Sequence, residues 1–162
     1  TLPIKDQEVY VGFQKEVSEL SRVMTGTRQL AREQKTKLAA MRKALKQTPG
    51  TGVELFEKVN QLESDLENLL YTLEGPSAKA SWEELPPMEV PLNRRLSVMI
   101  RTHWSSTTEL TTTETEQLRI LKEEFPPVLT QLEEVMDGIN ELDRELEALK
   151  APWTPGRVPE LN

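Results

Sequence analysis

Ten apolar residues between Thr113 and Lys150 constrain this chain more than anything else in it. Leu118, Leu121, Phe125, Val128, Leu132, Val135, Ile139, Leu142, Leu146 and Leu149 follow one another in alternating steps of three and four. That spacing sets all ten on one face of an α-helix, and a face so narrow and long is a seam for packing against other helices. A helix over 113–150 would be roughly 57 Å long at about 1.5 Å per residue. Pro126 and Pro127 fall inside it. Each lacks an amide proton and crowds the carbonyl one turn back, so a kink is expected around Lys122 to Phe125. The seam stays in phase across the pair, which favours one kinked helix over two. Thr111 with Glu114 and Thr113 with Glu116 both have the spacing of a capping box at its start.

The same three-four rhythm recurs upstream. Phe13, Val17, Leu20, Met24, Thr27, Ala31, Gln34, Leu38, Met41 and Leu45 predict a first helix over 6–47, with Asp6 as its N-cap. Its middle is weak. Gly26 costs about 1 kcal/mol against alanine inside a helix, small residues there would let a neighbour approach, and Gln34 either fixes register or reaches water. Thr48-Pro49-Gly50-Thr51-Gly52 forces a tight reversal, so a second helix over 53–73 should run antiparallel to the first. Leu55, Val59, Leu62, Leu66, Leu69 and Leu73 form its seam, widened by Phe56 and Leu70. Residues 75–91 hold Pro76, Pro86, Pro87 and Pro91 and are read as a crossover pinned by Trp82 and Leu85. A third helix follows over 91–105, carrying Leu92, Leu96, Met99 and His103. The tail, 151–162, has three prolines and cannot be helical.

These elements predict an all-α fold: an antiparallel four-helix bundle with two long and two shorter helices and a proline-rich C-terminal tail, forming a single domain over 1–162. The chain has 162 residues, 36% of them hydrophobic, so apolar surface must be used economically, as narrow helical stripes allow. There is no cysteine, which excludes disulfides and thiolate chemistry. No apolar run approaches the roughly 18 residues that span a bilayer. The chain opens on Thr1, and it is read as a domain excised from a larger protein. Its net charge of −7 is unevenly spread: residues 1–50 carry 10 basic and 5 acidic side chains, the remainder 10 basic and 22 acidic. The overall acidity argues against nucleic acid as a partner, and the basic run from Arg22 to Lys46 is read as the counterpart of acidic helices packed beside it.

The chemistry-bearing residues form no catalytic set. A di-iron bundle needs Glu-x-x-His pairs, and the one histidine, His103, has Ile100 three residues before it. Nucleophilic triads need a positioned base. Paired carboxylates such as Glu133 and Glu134 read as a solvated face, and Gly50 and Gly52 as a turn. No cofactor, metal or catalytic residue is expected. The candidate contact residues are Trp82, Trp104, Trp153, Pro155 and Arg157, aromatic, proline and arginine side chains of the kind that anchor protein interfaces.

The run WSSTTELTTTETEQLRILKEEFPPVL, from Trp104 to Leu129, resembles the carboxy-terminal helical region of bacterial sortilin-like proteins. Those are large secreted proteins with Asp-box (BNR) β-propeller repeats, often described as glycosyl hydrolases. The likeness rests on Trp104, Ser106, Thr107, Thr113, Gln117, Phe125, Pro127, Val128 and Leu129. It rests most specifically on the ending from Ala151 through Pro152, Trp153, Thr154, Pro155, Gly156, Arg157 and Val158 to Pro159. Pro86-Pro87 before Leu92-Asn93-Arg94 adds to it. The resemblance covers about the last 80 residues and includes none of the propeller. It implies a periplasmic or secreted, non-catalytic accessory domain that docks on its parent propeller or mediates self-association. The alternative is a free-standing coiled-coil adaptor for a helical or peptide partner.

The seam assignment is testable at its centre. Leu132→Asp would place an unpaired charge among apolar side chains, a cost of several kcal/mol. The expected result is loss of the helical circular dichroism signal.

Overall fold

A computed structural model describes residues 4–76, 89–104 and 110–161. The described residues are all-helical, with no strand among them. Four helices follow in chain order: α1 (Ile4–Lys46), α2 (Val53–Glu74), α3 (Leu92–Trp104) and α4 (Thr112–Ala148). They pack as a helical bundle. The chain divides into two compact units. One holds α1 through Arg28, the last turn of α2 from Tyr71, α3, and α4 through Val128. The other holds the rest of α1, α2 and α4 together with the tail.

α4 is one helix of 37 residues that runs through Pro126 and Pro127. Nine of its ten seam residues are at most 7% exposed. Leu149 is the exception at 37%, because the helix ends one residue before it. Thr111 caps α4: its Oγ1 accepts from Glu114 N at 3.2 Å, and Glu114 Oε2 accepts from Thr111 N at 3.1 Å. The expected second box, Thr113 with Glu116, does not form, since Thr113 already lies inside the helix and Glu116 turns to Arg119. Asp6 likewise sits within the first turn of α1 rather than at its cap. Gly26 is exposed, and an added Cβ there would meet nothing within 4 Å, so no helix approaches closely at that point. The close approach is elsewhere: a Cβ on Gly138 would lie 2.7 Å from Leu62 Cδ2. Gln34 is half-buried, while Thr27 and Ala31 are buried.

Polar pairs fix the directions. In the tail-bearing unit, Arg42 meets Glu63 and Lys35 meets Glu67, so positions fall along α1 as they rise along α2. These two helices are antiparallel, as the tight turn requires. Lys58 meets Glu141 and Glu145, and Leu62 faces Gly138, so α2 and α4 are antiparallel too. α1 and α4 therefore run parallel, joined by Lys37 and Asp143 at 2.6 Å. In the other unit Glu16 meets Lys122 at 2.8 Å, with the same separation of 106 residues. The parallel pairing of the two long helices departs from a simple up-and-down order. In the unit with the tail, three helical stretches rather than four share the core.

The end of α4 closes in a Schellman turn. Ala151 N donates to Leu146 O at 3.0 Å and Lys150 N to Glu147 O at 3.0 Å. Lys150 takes the left-handed conformation, φ 54°, normally left to glycine. A side chain there costs roughly 1–2 kcal/mol. Lys150→Gly should raise the unfolding free energy by about 1 kcal/mol, read as a higher urea midpoint with an unchanged slope.

Candidate functional site

The tail is the best-built irregular part of the molecule. Beyond α4, prolines at 152, 155 and 159 remove backbone donors, so the carbonyls between them need partners from side chains. Arg157 supplies them. Its Nη2 donates to Ala151 O at 2.6 Å and to Pro152 O at 2.5 Å. Its Nε lies 3.0 Å from Glu147 Oε2, an ion pair without hydrogen-bond alignment. Only 4% of the arginine side chain and 17% of the glutamate side chain are exposed. Arg157 N closes a turn onto Thr154 O at 3.2 Å through Gly156, whose φ of 86° demands glycine. Further on, Glu160 N donates to Glu147 Oε1 at 2.8 Å.

This scaffold holds Trp153. The indole Nε1 donates to Arg157 O at 2.7 Å, yet the residue is 62% exposed. Val158, next to the accepting carbonyl, is 81% exposed. Burial alternates along the segment: Ala151, Thr154 and Arg157 face inward, while Trp153, Val158 and Leu161 face out. A rigid aromatic with its polar edge satisfied and its faces bare is the usual anchor of a protein contact.

Of the residues singled out from the sequence, the structure brings Trp153, Pro155 and Arg157 together in this tail. Pro155 is exposed there. Arg157 is not a contact residue; it is 6% exposed and holds the tail in place. Trp82 and most of the 75–91 crossover lie outside the described residues. So do the side chains of Trp104 and His103, although both residues belong to α3. Glu147 was missed because it reads as one more acid on a helical face; only the folded tail brings Arg157 to it. Trp153 would cost roughly 3–5 kcal/mol on truncation if it were core. Its exposure limits that cost to a hydrogen bond and a partial burial.

Elsewhere the charges work within the fold. Arg42 donates to Glu63 through Nε at 3.1 Å and Nη2 at 2.6 Å, and these bonds raise its pKa against a smaller effect of burial. Burial acts against the charge of Lys58, but hydrogen bonds to Glu145 and Glu141 outweigh it and raise its pKa. Among the described residues, no cluster of histidine, aspartate and glutamate is arranged to hold a metal ion. No described helix is long and apolar enough to cross a membrane. No protein-family model matches this chain, and no curated protein or solved structure matches it.

Arg157→Ala removes a buried charge that satisfies two carbonyls and one carboxylate. Breaking such a pair costs about 3–5 kcal/mol. The variant should show a lower melting temperature and rapid proteolytic trimming after Leu149, with the α-helical signal otherwise retained at low temperature.

Proposed function

We propose that this chain is a non-catalytic helical accessory domain that associates with other protein surfaces through its C-terminal tail. The single observation behind this reading is the tail itself, an ordered segment whose interior is held by Arg157 and whose exterior presents Trp153. Ordering such a segment has an entropic cost, and exposing a tryptophan from it forgoes the burial that would offset the cost. A surface in use as a contact resolves that imbalance. The Trp104–Leu129 run and the APWTPGRVPE ending extend the proposal to its setting. Their resemblance to sortilin-like proteins supports a setting in a periplasmic or secreted protein with Asp-box propeller repeats, where the bundle docks on its parent or mediates self-association.

A second reading, an adaptor for a helical or peptide partner, draws on a groove of about 750 Å³ lined by Val11, Val17, Ser21, Arg22 and Ile100. It fits the size of a binding cleft but lacks convergent buried polar groups, which a specific site usually has. The tail is the better-supported surface.

The two ideas separate in one experiment. An Asp-box propeller domain from a sortilin-like protein is titrated with the full chain by calorimetry, alongside sedimentation of the chain alone. Association in either assay is expected, and Trp153→Ala should weaken it at least tenfold while lowering stability by less than about 2 kcal/mol. No association in either assay, or association indifferent to Trp153, would remove the basis of the proposal.

A further inference from the structure

Among the described residues, Lys150 is the only one besides glycine with a positive φ, and it forms the link between α4 and the tail. Beyond that link the tail is bonded mostly to itself. Arg157 Nη2 donates to Ala151 O and Pro152 O, Trp153 Nε1 to Arg157 O, and Arg157 N to Thr154 O. From Pro152 onward, its polar ties to the described helices converge on Glu147, which meets Arg157 Nε and accepts from Glu160 N. Gly156 lies beside Lys37 of α1, close enough that an added Cβ would come 3.3 Å from Nζ. The tail is a small prefolded piece, seated on one carboxylate and joined to its helix by one strained residue.

The link has a second conformation that loses no hydrogen bond. As folded, Ala151 N donates to Leu146 O and Lys150 N to Glu147 O. With α4 continued through Lys150, Lys150 N donates to Leu146 O and Ala151 N to Glu147 O, the ordinary helical spacing. The same two donors meet the same two carbonyls, and Lys150 leaves the conformation that L side chains avoid. Pro152 then stops the helix, and the tail runs on ahead of α4 instead of folding back to its own seat. Short links under strain invite exchange of the segment they carry. We propose that two copies of this chain trade tails. Each tail brings its inward face, with Thr154 and Arg157, to the other copy's Glu147 and Lys37. Seat and occupant are the pair already joined within one chain, so the partner is a second copy. The contact is reciprocal and closes at a dimer. The exchange leaves Trp153 bare on the outside, so it stands beside the docking role of that residue rather than resting on it.

Sedimentation velocity of the full chain over a concentration series should show a dimer. Lys150→Gly relieves the closed turn of its strain and should weaken that dimer about tenfold or more, whereas Trp153→Ala should keep it. The exchange itself is read by mixing two chains. Glu147→Lys keeps a tail that has no seat of its own, and Arg157→Ala keeps a seat that its own tail cannot fill. Alone, each should be monomeric and lose its tail quickly to protease. Mixed, they should form a dimer in which the Glu147→Lys tail is trimmed about tenfold more slowly, because trimming follows the undocked population. A wild type that stays monomeric, a dimer indifferent to Lys150→Gly, or a mixture in which neither mass nor trimming changes would each overturn the exchange. Association that is lost in Trp153→Ala yet indifferent to Lys150→Gly overturns the exchange and leaves the docking role of the outer face standing. Should Glu147→Lys lose helical signal, Glu147→Gln replaces it.

Discussion

The register of α4 against α1 is the constraint on which the rest depends. A leucine seam repeats every heptad, so by itself it tolerates sliding: any shift of seven residues sets apolar side chains opposite apolar side chains again. Charged pairs remove that freedom. Lys37 and Asp143 meet with their side chains only 16% and 14% exposed, where a charge without a partner is costly. Glu16 and Lys122, about half exposed, add little stability of their own. Their contribution lies in their sign. A slide of three heptads would set Lys37 against Lys122 in one direction and Glu16 against Asp143 in the other. Exchanging the charges between the two positions therefore penalises the alternatives that the apolar pattern leaves open.

That register in turn decides where the tail goes. α4 ends at Ala148, little more than one turn beyond Asp143, and the left-handed Lys150 turns the chain back so that Gly156 comes beside Lys37. Three prolines keep the segment from becoming a fourth helical stretch in this unit, but they also strip it of donors. One arginine compensates, since a guanidinium carries five N–H groups in a fixed fork and can serve two carbonyls and a carboxylate together. The result is a short irregular segment held by one buried side chain. Its inward residues follow from Arg157, and its outward residues, Trp153 among them, follow from the inward ones.

The helices were legible because their signals are local. Apolar periodicity, the Thr48–Gly52 reversal and the Thr111–Glu114 box each act within a few residues, and the observed elements begin and end within two residues of where those signals put them. Direction was less legible. The turn between α1 and α2 dictates antiparallel packing, but nothing near α4 says which way it lies beside α1; only pairs 106 residues apart do. The candidate site shows the same division. Trp153 and Pro155 stand out as residue types, whereas the burial of Arg157 depends on Glu147, Ala151 and Pro152 once the chain has turned back. Gly138 was silent for a similar reason: a glycine in a good helix reads as a small penalty until Leu62 is seen against it.

The basic half of α1 bears on what kind of contact this fold can make. Arg28, Lys35, Lys37 and Arg42 each meet a carboxylate on α2 or α4 within their own unit: Glu74, Glu67, Asp143 and Glu63. Their charge goes into pairing order inside the bundle, so four of the eight basic residues from Arg22 to Lys46 face acids on neighbouring helices. The surplus acids, which make the net charge −7, point outward and repel one another and any second copy at long range. Attraction must then come from short-range apolar surface strong enough to act against that repulsion. Along the described residues the exposed large apolar side chains gather at the tail, with Leu149, Trp153, Val158 and Leu161, and in the other unit at Val9, Val11 and Val98.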